Sequence, residues 1–241
     1  MSNITIHKSN TRGHANHGWL NARHSFSFAN YYNPERMHFG VVRVLNDDII
    51  APAMGFGTHP HDNMEIVSIP LTGALEHKDS TGTQSVINEN DVQIMSAGSG
   101  LSHSEYNHFK DRTTNFLQVW VMPKKRNIEP RYDQKTFNPA DRIDHIQTVV
   151  APDDDKAVWI NQDSWFSLSN LMEGKTIDYS LKKKGNGVYV FVIEGKVIIE
   201  QQELQKRDAL GIWEVENVGI KASADSEILI IEVPMKGGTN E

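Results

Sequence analysis

Short apolar or alternating segments, each closed by Gly, Pro, Asn or Asp, follow one another along almost the whole sequence. They include HSFSFA (24–29), FGVVRVL (39–45), MEIVSIPL (64–71), TQSVI (83–87), DVQIM (91–95), NFLQVWVM (115–122), VYVFVI (188–193), VIIE (197–200) and EILIIEV (227–233). Runs of this kind, rich in β-branched and aromatic residues and bounded by turn formers, predict strands. Spacings of roughly 8–12 residues favour an all-β sandwich or barrel over a βαβ sheet. Helix signals are confined to short pieces such as NPADRI (138–143), which has a cap and a first turn.

The segments also recur in a fixed order. MEIVSIPLTGALEH (64–77) and VYVFVIEGKVIIEQ (188–201) each give an apolar strand, a glycine turn at Gly73 or Gly195, and a second short strand. An Asp then opens another strand, in DVQIMSAG (91–98) and DALGIWEV (208–215), and a β-rich finish follows in NFLQVWVMP (115–123) and EILIIEVPM (227–235). This order predicts two similar barrels in tandem, with chance likeness between generic hairpins as the alternative. The Pro- and charge-rich stretch KKRNIEPRYDQKTFNP (124–139) is the expected junction, giving domains at 1–135 and 136–241.

Composition narrows the chemistry. The 241 residues carry a net charge of −7, which argues against a nucleic-acid surface. The basic runs at 124–126 and 182–184 sit among turn residues and are expected to be solvated loops. Cysteine is absent, so any metal must be held by His, Asp, Glu or water. The N-terminus MSNITIHKSN lacks the apolar core of a signal peptide, and no apolar run approaches the roughly 18 residues of a membrane span. A cytoplasmic protein without membrane contact is expected.

His59 and His61, in GFGTHPH (55–61), stand two residues apart before an apolar run. On a strand, positions i and i+2 leave the same face, so both imidazoles point together. With eleven histidines in the chain, such a pair alone proves little. A second pair with the same spacing, His103 and Glu105, follows the glycine-rich turn of AGSGLSHSEYNH (97–108). On neighbouring strands of one barrel, the two pairs converge as three imidazoles and a carboxylate, a set suited to a divalent transition metal. Four such ligands on an octahedral ion leave two positions for water, dioxygen or substrate. Placing Gly73 over Gly195 puts Leu181 and Lys183 where His59 and His61 stand, and placing Asp91 over Asp208 puts Ile220 and Ala222 where His103 and Glu105 stand. The scaffold repeats and the ligands do not, which predicts one metal in the first barrel and none in the second.

Other residues carry plainer expectations. Phe116 and Trp120 are expected in the core or a pocket wall, His24 on a backbone carbonyl, His108 in a loop, and His77 on an exposed strand position.

The motif G55-FGT-H59-P-H61-DNM-E65-IVSIPLT-G73 resembles the first cupin motif, and SAGSGLSHSE (96–105) resembles the pirin form of the second. ARHSFSFANYYNPER (22–36) is similar to the pirin N-terminal signature, and the likeness extends through about residue 135. Membership of the pirin family implies two tandem cupin barrels, double-stranded β-helices of jelly-roll type, facing each other. It also implies iron, as Fe(II), held by His59, His61, His103 and Glu105. In the general cupin pattern Glu65 would be the carboxylate ligand, whereas the pirin pattern gives that role to Glu105 and leaves Glu65 in the supporting frame.

Two functions follow from the resemblance. One is dioxygenation of quercetin and related flavonols, opening the heterocycle with release of carbon monoxide, with Glu105 also acting as general base. The other is a non-enzymatic role as an iron-dependent partner of regulatory proteins. A sugar or sugar-phosphate isomerase would want a convergent basic pocket, which the sequence does not display. The acidic charge favours the enzyme, with a flavonol-like aromatic substrate and dioxygen as partners.

Overall fold

The computed structural model describes residues 3–236. In chain order the strands of the first half are β1 (Asn3–His7), β2 (Gly13–Asn16), β3 (Leu20–His24), β4 (Val42–Ile50), β5 (Gly55–His61), β6 (Glu65–Thr72), β7 (Ala74–Asp79), β8 (Gln84–Asn88), β9 (Asp91–Ser96), β10 (Leu101–Asn107), β11 (Thr114–Val121) and β12 (Arg131–Thr136). The second half adds β13 (Gln147–Ala151), β14 (Val158–Trp159), β15 (Trp165–Leu171), β16 (Thr176–Ser180), β17 (Asn186–Glu194), β18 (Lys196–Ile199), β19 (Gln202–Gln205), β20 (Ala209–Trp213), β21 (Asn217–Ala222) and β22 (Ser226–Pro234). The only helical pieces among the described residues are 3₁₀ turns, one of them Pro139–Arg142 with the Asn138 side chain accepting from the Ala140 N–H. No helix there is long and apolar enough to cross a membrane.

The strands form two double-sheet barrels built to one plan. In the first, a large sheet of order β12-β9-β6-β11-β4-β3-β2 faces a small one of order β5-β10-β7-β8. The second repeats this with β1-β20-β17-β22-β15-β13-β14 and β16-β21-β18-β19. The tandem cupin architecture is thus present, and the repeat is a repeat of topology. Strand β1 departs from sequence order, because it pairs antiparallel with β20 in the second barrel, Asn3 opposite Trp213. The expected domain division after residue 135 falls inside β12, which pairs with β9.

The large sheets pack against each other, which explains why strands such as VYVFVI are apolar on both faces. Alternate residues of β17 divide: Tyr189, Phe191 and Ile193 enter the core between the barrels, and Val188, Val190 and Val192 fill the second barrel's interior. In β11, Leu117, Val119 and Val121 likewise join the shared core, leaving Phe116, Gln118 and Trp120 on the opposite face.

One expected strand is absent. HSFSFA alternates correctly, yet only His24 lies in a strand (β3), and the chain then turns, with Phe28 bridged to Tyr31 and Ala29 at φ 49°. Its two phenylalanines serve different neighbours. Phe26 enters the shared core, while the Phe28 ring lies 5.3 Å from that of Trp120.

The turn glycines at 73 and 195 both have φ +82°, a backbone that L-residues with a Cβ rarely adopt. At Gly195 a Cβ would stand 2.1 Å from the Asp225 carbonyl oxygen. Gly195→Ala is therefore expected to cost about 2 kcal/mol or more, from left-handed strain plus the clash. A lowered urea midpoint checks this, and a midpoint equal to the parent's would contradict it.

Candidate metal centre

The site is built mainly on the small sheet of the first barrel. Strands β5 and β10 run side by side with His59 opposite His103, and the other neighbour of β10, strand β7, sets Asp79 opposite His103 and His77 opposite Glu105. Alternation in β10 buries Leu101, His103, Glu105 and Asn107 and turns Ser102, Ser104 and Tyr106 away. The imidazole centroids of His59, His61 and His103 lie 4.5 to 4.9 Å apart. Their ligand-capable atoms fall within 4.8 Å of one another, as do those of His77, His103 and Glu105. His103 belongs to both groups; Glu105 joins it with His77 and lies outside the group formed by His59, His61 and His103.

The protonation states suit a cation. Burial, followed by the neighbouring imidazoles His103 and His59, lowers the pKa of His61 to about 4. Burial, followed by His59 and His77, lowers that of His103 to about 3. Both rings are then neutral at ordinary pH and keep a lone pair for a metal. His59 Nδ1 lies 2.8 Å from the Gly57 carbonyl; donation to that oxygen leaves Nε2 as the free donor atom. His61 Nε2 and both ring nitrogens of His103 are buried without a hydrogen-bond partner. Such orphaned nitrogens are costly in an empty protein and are satisfied by a coordinated ion. The donor set fits a divalent transition metal.

Glu105 is held from the barrel interior. Its Oε2 accepts from Gln118 Nε2 at 2.7 Å and its Oε1 from Ser68 Oγ at 3.3 Å, while Trp120 Nε1 donates to Gln118 Oε1 at 3.1 Å. Asp48 is buried on β4, and its pKa is pushed well above the usual carboxylate range by burial, then by the charges of Asp47 and Glu105. Glu65 lies outside both ligand groups. Its Oε2 accepts from Ser96 Oγ at 2.7 Å and from the Asn161 N–H of the second half at 3.1 Å.

Several expectations need revision. His77 is 1% exposed, not a surface residue, because β7 turns it inward against His103 and Tyr132. Its Nε2 lies 3.0 Å from Asp79 Oδ2. Hydrogen bonds from Thr81, His77 and Thr83 outweigh the burial of Asp79 and hold its pKa below the ordinary value. His77 and Asp79 share the i, i+2 spacing that singled out the ligand pairs, a signal available in the sequence. His24 bonds the Asn46 side chain, not a backbone carbonyl. Phe116 is core, and Trp120 is half-buried against Ile66, Met95 and Leu101, its ring 4.8 Å from that of His61. His108 follows β10 and meets Glu76 at the surface.

Strand pairing also corrects the internal alignment by two residues. Leu75 pairs with Asn107 as Val197 pairs with Ala222, so His103 and Glu105 correspond to Val218 and Ile220. His59 pairs with His103 as Tyr179 pairs with Val218, so His59 and His61 correspond to Tyr179 and Leu181. Gln118 and Ser68 likewise become Ile230 and Val190. The positions that form the polar centre in one barrel form the apolar core of the other.

Beside His61 an opening of about 480 Å³ is lined by Pro60, Asp62, Ser80, Leu101 and Ser102. His59, His103, Glu105 and Trp120 do not line it.

Comparison with known proteins agrees with this architecture. The Pirin family model matches residues 5–121, and the model described as quercetinase C-terminal cupin domain matches residues 148–233. The chain is 40% identical over 232 residues to a protein named quercetin 2,3-dioxygenase from Escherichia coli K12, covering 96% of this chain and 99% of that one. A putative quercetin 2,3-dioxygenase of Zymomonas mobilis is 43% identical over 221 residues, 91% of this chain and 93% of that one. Among solved structures, the bacterial pirin YhhW from Escherichia coli in complex with nickel(II) superposes with a TM-score of 0.90 at 39% identity, covering 96% of this chain and 99% of that one. Motifs, paired barrels and likeness along nearly the full length agree: the chain belongs to the pirin family.

Proposed function

We propose that this protein is a metal-dependent dioxygenase that opens the heterocycle of quercetin-like flavonols, with Fe(II) held by His59, His61, His103 and Glu105. The observation that carries the reading is the gathering of the neutral, unpartnered imidazoles of His61 and His103 with His59, and the buried Glu105 carboxylate beside His103. The names of the full-length relatives support the same chemistry. The metal that His59, His61, His103 and Glu105 would hold would supply Lewis acidity toward a substrate hydroxyl and a place for dioxygen near the ring.

The chain's own residues supply the rest. Glu105 takes the flavonol hydroxyl proton, and Gln118 and Ser68 hold its two oxygens so that the carboxylate is aimed before substrate arrives. Trp120 and Phe28 form an aromatic wall beside His61. Against this wall a flat ring system stacks and displaces water.

One ion per chain is expected in purified protein, because the counterparts of the ligands in the second barrel are Tyr179, Leu181, Val218 and Ile220. Metal analysis near two ions per chain would overturn this. Combined with an aerobic quercetin assay, the same analysis tests the activity. Turnover that scales with iron content supports the enzyme, whereas full occupancy without turnover favours the regulatory binding protein.

A further inference from the structure

The two basic runs expected to be separate solvated loops face each other across a groove of about 1550 Å³ at the seam of the barrels. Lys124, Lys125 and Arg126 line one side, and Lys183, Lys184 and Lys236 the other. Only Asp163 and Glu214 oppose these six cations within the lining. The groove thus holds four net positive charges on a chain whose total is −7.

Asp163 is already engaged, since its carboxylate binds Lys124 Nζ at 2.8 Å and also Lys183 Nζ. One acid therefore ties a lysine from each wall and fixes the gap between them. Glu214 accepts from Asn3. The first wall is further pinned by Asn127, whose N–H donates to Asn63 Oδ1 at 2.7 Å. Among the described residues, Lys125, Arg126, Lys184 and Lys236 have no ion-pair partner. Like charges gathered in this way repel one another and destabilise the folded chain, a cost that a bound anion removes.

The floor is apolar. Met122, Trp213 and Met235 are part-exposed and pack onto the core between the barrels. A ligand matching both features has an anionic end and a flat apolar end. We propose that this groove binds a small organic phosphate of the nucleotide class, its phosphates between the basic walls and its ring against Trp213 and Met235. The remainder of the chain is more negative than the whole, so an extended nucleic acid is repelled beyond the groove and a small ligand is not. The site is separate from the imidazole cluster, although Asn63 and Met64 in its lining follow soon after His61.

The test is calorimetric titration with ATP in magnesium-free buffer, with inorganic pyrophosphate and adenosine as partial probes. Saturable ATP binding is expected, tighter than that of either fragment and weakened as salt rises from about 0.05 to about 0.5 M. Lys125→Glu/Arg126→Glu and Lys184→Glu are expected to weaken it by about 10-fold or more each, because charge-assisted contacts to phosphate become repulsions. These side chains are exposed, so the variants should fold as the parent does. His59→Ala/His61→Ala, which removes proposed metal ligands, should bind ATP as the parent does and so separates this site from chelation at the metal. Absence of saturation at millimolar ATP, unchanged affinity in the charge-reversed variants, loss of binding in the histidine variant, or tighter binding of a single-stranded oligonucleotide than of ATP would each overturn the proposal.

Discussion

Glu105→Gln is expected to lower flavonol turnover by about 10²–10⁴-fold while leaving part of the iron bound, the range associated with losing a general base. The substitution keeps the shape and one oxygen donor and removes the negative charge and the proton acceptor. Gln118 Nε2 can only donate, so an amide in place of the carboxylate keeps its oxygen toward Gln118 and turns its NH₂ toward Ser68, whose hydroxyl can accept. Glu65→Gln makes the contrast, since Glu65 is occupied with Ser96 and Asn161 and lies outside the ligand groups. It should leave most metal bound and reduce turnover less. The measurement is metal content and quercetin consumption on the same preparations. A Glu65→Gln protein stripped of metal, beside an active Glu105→Gln protein, would return the ligand role to Glu65.

A second large effect is expected at His103, the residue shared by both ligand groups. His103→Ala removes a central donor and should weaken metal binding by more than ~100-fold, with activity falling in step. His59→Ala and His61→Ala should show the same coupled loss. His77→Asn tests a subtler point. If the Asp79–His77 pair orients the cluster from behind, affinity should fall only about 10-fold, the scale of residues that support ligands without being ligands. Titration with Fe(II) or Ni(II) separates the cases. Metal content unchanged in His103→Ala with activity lost would refute the ligand assignment.

The sequence displayed strand positions well where a strand faces an apolar layer on one or both sides, as in β6, β11, β17 and β22. It misled at HSFSFA because alternation reports which way side chains point and not whether the backbone finds a partner to pair with. The four ligand candidates stood out because an i, i+2 pair of polar residues is conspicuous beside an apolar run. His77 and Asp79 had the same spacing but followed a turn in a segment of mixed polarity, where surface and interior look alike. Gln118, Ser68 and Asp48 were hidden by distance: Gln118 and Ser68 are isolated polar residues within apolar strands, Asp48 ends the polar run Asn46–Asp48, and only closure of the barrel brings the three beside Glu105. The internal alignment slipped by two residues on each strand, which keeps the same face on a pleated strand. The inference of an apolar second barrel survived the slip for that reason. The basic groove was invisible because its walls lie more than fifty residues apart in the chain.

The pairing of β1 with β20 sets an order on folding. On a ribosome elongating at about 5–20 residues per second, the first strand emerges roughly 10–40 s before the partner that completes its ladder. Through that interval the first barrel can close, but Asn3–His7 must stay free of other exposed strand edges. The second barrel then closes last, by recapturing the oldest segment of the chain, a loop closure spanning nearly the full length and correspondingly slow. A fragment beginning at residue 136 would lack this strand and expose the edge of β20, an invitation to pair with another chain. Separately expressed halves should therefore aggregate or associate with each other, and refolding should yield more monomer when the intact chain is dilute.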